Sequence, residues 1–175
     1  MEESIRILHL EDSVRDAELI GGHLAASGLA CNITLAKDRP CFETALGAGP
    51  WHIILCDYNI PGYDGLSALQ LAQRKTPQTP VIMLSGSLNS EEAVRCLHAG
   101  AIDYLFKERL ERLASAISRA LQLVDAHQRQ LAAEQALRES EERFRQLAEQ
   151  SRDGFWFVGL NPEQTIYVSP AVEEI

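Results

Sequence analysis

Trp51-His-Ile-Ile-Leu-Cys-Asp57-Tyr-Asn-Ile-Pro-Gly-Tyr-Asp-Gly65 carries the pattern from which the architecture of this chain follows. Its first half is short and almost wholly apolar, the pattern of a strand covered on both faces in a parallel sheet. Asp57 ends that run, and Pro61-Gly62 marks a turn shortly after it. A carboxylate at the end of so apolar a strand is stripped of water and needs a partner charge. Working outward, similar runs occur at Ile5 to Leu10, Cys31 to Ala36, Val81 to Leu84 and Ile102 to Leu105, with His52 to Cys56 as the central one. The stretches between them carry helical spacing: Val14, Ala17, Ile20 and Leu24; Leu66, Leu69 and Ala72; Ala93, Val94 and Leu97, with Gly100 as a helix stop. A further helix is expected from Arg39 to Leu46, on a weaker pattern. Five strands alternating with helices predict right-handed crossovers and an open parallel α/β sheet.

In such a sheet the functional crevice lies beyond the C-terminal ends of the strands. Those ends are Glu11-Asp12, Asp57, Ser85 and Lys107. Each has an ordinary explanation when taken alone. Either acid at 11–12 would serve to cap the next helix, Ser85 is also a simple strand-end hydroxyl, and a lone lysine is usually a surface lysine. Together they place carboxylates, a hydroxyl and an amine on one edge. Carboxylates gathered there require a cation, and a hard divalent ion such as Mg²⁺ suits oxygen ligands that must also accommodate phosphate and water.

The order Glu11-Asp12, Asp57, Ser85, Lys107 resembles the receiver domain of two-component response regulators, a flavodoxin-like (βα)5 doubly wound parallel sheet. Asp57 to Gly65, Leu84-Ser-Gly86 and Ala99-Gly-Ala-Ile-Asp-Tyr-Leu-Phe-Lys107 are similar to that family's signature segments, and the resemblance runs from about Ile5 to Val124. It implies a phosphorylation-dependent switch in which Asp57 is the phosphoryl acceptor, Asp12 a direct Mg²⁺ ligand, Glu11 a ligand through water and the Asn59 backbone carbonyl a further ligand. It also implies that Ser85 and Lys107 contact the phosphoryl group, and that Tyr104 is the aromatic switch that turns inward as Ser85 moves. The donor would be the phosphohistidine of a histidine kinase or phosphotransfer protein. One departure is Glu108, where the family usually has proline; a trans Lys107–Glu108 bond and a different turn into the last helix are expected.

Beyond Glu108 the chain changes character. Leu110, Leu113, Ile117, Leu121 and Val124 continue a helical stripe, and no Gly or Pro intervenes before Gly154. Good helix formers and the acid-first pairs Glu134–Arg138, Glu139–Arg143 and Glu141–Arg145 predict one long helix to about Gln150. Its apolar positions are near-heptad to Leu131 and then change phase, so both a parallel homodimer through this helix and a single solvated helix fit the pattern. From Phe155, two β-rich runs around Asn161-Pro162 predict a hairpin. Glu141 to Leu147, Asp153-Gly154 and Tyr167 to Ala171 resemble the opening of a PAS sensor domain. The expected organisation is a receiver at 1–124, a helical linker at 125–143 and the truncated start of a PAS domain at 144–175.

Composition narrows the role. With 46% apolar and 23% charged residues, the chain has the make-up of a globular protein. A net charge of −9 disfavours nucleic acid and anionic membranes as partners. No apolar run approaches the ~20 residues that cross a bilayer, and Met1-Glu-Glu-Ser4 is acidic, so a cytoplasmic setting is expected. Cys31, Cys41, Cys56 and Cys96 lack metal or redox spacing and are expected to be reduced and mostly buried. No catalytic motif beyond self-catalysed phosphoryl transfer and dephosphorylation is present. The alternatives are the regulatory head of a histidine kinase or cyclic-di-GMP enzyme, or an adaptor that dimerises without accepting phosphate.

Overall fold

A computed structural model describes residues 4–87 and 90–150, with side chains to 147, and the backbone of 156–158 and 165–168. Chain order is β1 Ile5–Leu10, α1 Val14–Ala26, β2 Cys31–Ala36, α2 Arg39–Ala48, β3 Ile53–Asp57, β4 Asn59–Ile60 and β5 Tyr63–Asp64. Then follow α3 Gly65–Lys75, β6 Val81–Ser85, α4 Ser90–His98, β7 Asp103–Phe106, a 3-10 helix over Lys107–Arg112 and α5 Leu113–Gln150. The main sheet is parallel, ordered β2-β1-β3-β6-β7. β4 and β5 form a separate antiparallel pair at the turn after Asp57.

Alternate residues of the central strands feed two cores, which is why these strands read as continuous apolar runs. Leu8, Leu10, Ile54, Cys56 and Met83 pack with Phe42, Leu69 and Ala72 on one side. Ile7, Ile53, Leu55, Ile82 and Leu84 pack with Ile20, Leu24, Leu113 and Ile117 on the other. The register pairs Leu10 with Cys56, Asp57 with Leu84 and Ser85 with Phe106, so the C-terminal ends lie level along one edge. The strands holding Asp57 and Ser85 each run one residue further than the apolar runs suggest, because the Tyr58 N–H still bonds the Leu84 carbonyl at 2.8 Å.

Helix starts follow local chemistry. Ser13, Asp38 and Asp64 cap α1, α2 and α3, each accepting a backbone N–H three residues on. Gly100 stops α4 at φ +97°, a conformation that costs glycine nothing. Two expected core stripes need correction. Val14 is 49% exposed because it is the first helical residue and has no neighbouring turn to pack against; α1 is anchored by Ile20 and Leu24. On α4 the buried residue is Cys96, and Val94 and Leu97 point to solvent at 53% and 45% exposure. Of the four free cysteines only Cys56 and Cys96 are buried; Cys31 is intermediate and Cys41 exposed.

Two compact units are present, Met1–Asp125 and Ala126–Ile175. In the first, Leu110, Leu113 and Ile117 are buried, and Leu121 and Val124 half-buried. From residue 125 to 147 every residue of α5 is exposed. Glu139 and Arg143 approach to 3.8 Å, whereas Glu134 takes a hydrogen bond from Gln130 at 2.9 Å. In the second unit β8 Trp156–Val158 pairs antiparallel with β9 Thr165–Val168, with a register irregularity between Phe157 and Val158. The expected turn at Asn161-Pro162, the Asp153-Gly154 step, Phe155, Ser169-Pro-Ala171 and the acidic N-terminus to Glu3 lie outside the described residues. No helix among the described residues is long and apolar enough to cross a membrane.

Candidate functional site

At the C-terminal edge of the sheet, the Lys107 ammonium lies among three carboxylates. It donates to Glu11 Oε2 at 2.6 Å, Asp57 Oδ2 at 2.7 Å and Asp16 Oδ2 at 2.8 Å. Glu11 follows β1, Asp57 ends β3, Lys107 follows β7 and Asp16 lies in the first turn of α1, so four segments converge on one nitrogen. Glu11 is fully buried and also accepts the Ser13 N–H at 3.1 Å. Asp57 is 4% exposed, and its second oxygen accepts the Asn59 N–H at 3.2 Å. Asp12 is exposed and contributes to a group with Glu11 and Asp57 whose ligand oxygens all lie within 4.8 Å of one another. The helix cap is Ser13, which leaves both acids at 11–12 available to the crevice.

The charges shape one another. Burial works against the Lys107 ammonium, yet the hydrogen bonds it donates to Asp16, Asp57 and Glu11 outweigh it and hold the lysine well above its ordinary value. Burial raises the Glu11 carboxyl, with Lys107 opposing and Asp57 reinforcing the shift. The hydrogen bond to Lys107 lowers Asp16. Beneath this cluster His9 is fully buried; among the described residues neither ring nitrogen has a hydrogen-bond partner, and Nε2 lies 3.9 Å from Glu11 Oε2. Burial and then Lys107 depress it to about 4.

Ser85 is fully buried, and its hydroxyl is engaged with Ser87, donating to the carbonyl and accepting the N–H, both at 3.2 Å. Tyr104 is already inside, 8% exposed, with its ring edge-on to Phe106 at 5.6 Å and to Tyr58 at 6.5 Å. Burial raises its phenol. Among the described residues its hydroxyl has no hydrogen-bond partner of good geometry. The Lys107–Glu108 peptide is trans, there being no cis bond among the described residues, and the chain winds into the 3-10 turn with a kink at Arg109. Glu108 is exposed, and the lysine's ion pairs are with the other three acids.

The structure therefore brings Glu11, Asp12, Asp57 and Lys107 together as their strand-end positions require. Ser85 and Tyr104 sit on the neighbouring strands β6 and β7. Asp16 and His9 escape a reading based on strand ends. The signal for Asp16 is an acid one helical turn beyond Asp12, on the face of α1 that overlooks the sheet edge. The signal for His9 is a polar residue inside an otherwise apolar strand.

An open parallel sheet with an acidic edge and a facing lysine defines a doubly wound α/β protein with its site at the strand ends. The chain belongs to the response regulator receiver domain family, whose model matches residues 7–118. It is thus a receiver of two-component signalling. A protein-glutamate methylesterase/protein-glutamine glutaminase of Archaeoglobus fulgidus is 37% identical over 106 residues, 59% of this chain and 30% of that protein. The transcriptional regulatory protein ZraR of Salmonella typhimurium is 29% identical over 131 residues, 74% of this chain and 28% of that protein. Each match thus spans less than a third of the relative's length. The receiver domain of NtrX from Brucella abortus superposes with a TM-score of 0.61 at 30% identity, covering 66% of this chain and 98% of that one.

A hard divalent cation fits the residues present. Two buried carboxylates and one at the mouth supply oxygens close enough to share an ion, and such a cation would offset the charge that Lys107 alone cannot neutralise.

Proposed function

We propose that this receiver accepts a phosphoryl group on Asp57 from the phosphohistidine of a histidine kinase or phosphotransfer protein, and passes the change on through the C-terminal helix. The observation that carries this reading is the 2.7 Å contact between Lys107 Nζ and Asp57 Oδ2 at a buried strand end, beside the Glu11–Asp12–Asp57 group. A carboxylate oxygen of Asp57 attacks phosphorus in line, the P–N bond of the donor breaks, and the imidazole leaves with the bonding electrons. Lys107 then transfers a hydrogen bond from the carboxylate to a phosphoryl oxygen, following the negative charge. Ser85 exchanges its Ser87 partner for another phosphoryl oxygen. Backbone N–H donation from Asn59 keeps the acceptor carboxylate oriented.

Mg²⁺ suits the site, with Asp12 and Asp57 as direct ligands, Glu11 through water and the Asn59 carbonyl as a further ligand; when bound it would neutralise charge on the transferring group. Tyr104 is the switch aromatic, and its inward packing beside Ser85 is the arrangement associated with signalling output. The chain is then organised as a receiver at 1–124, a helical linker at 125–143 and the start of a PAS domain at 144–175, working in the cytoplasm upstream of a further sensor or output domain. The β8–β9 pair supports the hairpin on which the PAS reading rests.

Intact-mass measurement after treatment with acetyl phosphate and Mg²⁺ tests this directly. One added phosphoryl group is expected on the wild-type chain and none on Asp57→Asn. An unmodified wild type, or equal modification of both, would sink the assignment.

A further inference from the structure

Lys107 has more anionic partners than its role at Asp57 requires. An ammonium has three N–H donors, and here each is spent on a different carboxylate, at 2.6, 2.8 and 2.7 Å for Glu11, Asp16 and Asp57. No donor is left over for a phosphoryl oxygen, so a group arriving on Asp57 must take one from an existing partner. Asp57 itself gives up its charge on that oxygen when it becomes an acyl phosphate, and its bond passes to the new group. Whether Lys107 supplies a second bond depends on the other two acids.

Those two differ in kind. Glu11 is fully buried, belongs to the cation-holding group and is further fixed by the Ser13 N–H. Asp16 is outside that group, and its side chain retains 36% exposure. Its backbone is held by the Ser13 cap at 3.2 Å, which aims the carboxylate at the strand ends from the first turn of α1. Lys107 is the ion-pair partner of Asp16 at the site, and the Ser13 side chain and the neighbouring Arg15 act on its carboxylate more weakly.

We infer that Asp16 is a positioning residue that restrains Lys107 toward α1 and competes with the phosphoryl group for its ammonium, limiting how tightly the phosphorylated state is held. The inference rests on the reading of Asp57 as the acceptor. In the resting chain Asp16 keeps the ammonium at the rim of the crevice. On phosphorylation the surface-facing Lys107–Asp16 pair is the one that yields, since releasing Asp16 exposes a carboxylate to water whereas releasing Glu11 strands a buried one.

Beryllium fluoride with Mg²⁺, a stand-in for the phosphoryl group, provides the probe on the full chain, with intrinsic tryptophan fluorescence or calorimetry as readout. Asp16→Asn is expected to bind beryllium fluoride about three- to five-fold more tightly than wild type, the scale of losing one partly exposed ionic competitor. Its affinity for Mg²⁺ alone should change by less than that, because Asp16 lies outside the ligand group. Asp16→Glu, which restores the charge on a longer arm, should return most of the way to wild type. A merely structural role would move both affinities together or neither. Wild-type binding with Asp16→Asn equal or weaker would overturn the inference and leave the acceptor reading standing. Binding by Asp16→Asn with none by wild type would support it in extreme form. No binding by either chain would overturn the acceptor reading and this inference with it.

Discussion

His9 shows how one residue links burial to pH. Its ring is fully enclosed and neither nitrogen is hydrogen-bonded among the described residues, Glu11 Oε2 standing 3.9 Å from Nε2. Because burial and the adjacent Lys107 oppose a second positive charge, the folded value is about 4 against an ordinary 6.5. The unfolded chain therefore binds a proton in this range that the folded chain refuses. The stability His9 contributes is complete above pH 6.5 and is lost as pH falls from 6.5 through 4. The whole effect is about 3 kcal/mol, of which about 2 kcal/mol is gone by pH 5. His9→Leu fills the same space without the unpaired nitrogens, so it should be neutral or stabilising by about 1 kcal/mol at pH 7. Its advantage over wild type should grow by about 2 kcal/mol at pH 5, measured from urea midpoints of both proteins at the two pH values. An advantage that does not grow would show that His9 is not held neutral. The histidine is visible in the sequence, but its deprivation of partners is not, because that depends on what β1 meets on either side.

At the scale of elements, the turn after Asp57 explains a glycine. β4 and β5 fold back so that Gly65, the first residue of α3, lies against the acceptor segment. A Cβ built on Gly65 would sit 2.6 Å from the Tyr58 Cα and 2.9 Å from the carbonyl oxygens of Asp57 and Tyr58. These are backbone atoms that no rotamer change can move. The Gly65 N–H meanwhile bonds the Tyr58 carbonyl at 3.0 Å, fixing the approach. Gly65→Ala should therefore cost about 2–3 kcal/mol, the scale of forced overpacking, read by chemical denaturation, and should also weaken beryllium fluoride binding because Asp57 is displaced. A fully stable variant would mean that the turn can open without cost. The elements themselves were largely legible in advance: β1 and β2 have the bounds of their apolar runs, and α5 runs as one helix to Gln150, the last residue described there. The face of α4 was not. Ala93, Val94 and Leu97 have core-like spacing and Ala93 does pack against the core, but Val94 and Leu97 face solvent and Cys96 is the fully buried residue, because packing on the sheet sets the helix's rotation.

At the scale of the whole molecule, α5 poses a problem of solvation. Leu131, Leu137, Phe144 and Leu147 are 49%, 60%, 43% and 72% exposed on a helix segment that buries none of its residues between 125 and 147. Most helical stability in proteins comes from packing an amphipathic face, and pairing with a second copy would cover these side chains. On the homodimer reading of this helix, sedimentation equilibrium of the full chain should give a dimer at micromolar concentration. Leu137→Asp combined with Phe144→Asp should shift it to monomer without changing the receiver's own melting. A wild-type monomer across the concentration range would refute pairing through this helix.

Hydrophobic period and chain order were enough to read the parallel α/β class, the order of its main strands and helices, and the meeting of Glu11, Asp12, Asp57 and Lys107 at the strand ends. The three-dimensional packing was needed to show that Lys107 is shared with Asp16, that His9 lies beneath it without a hydrogen bond and that Tyr104 already faces inward. Those outcomes depend on how helix α1 is rotated over the sheet edge and how side chains of different strands fill the same volume. Pair contacts of that kind arise from packing in three dimensions, and no period along the chain encodes them.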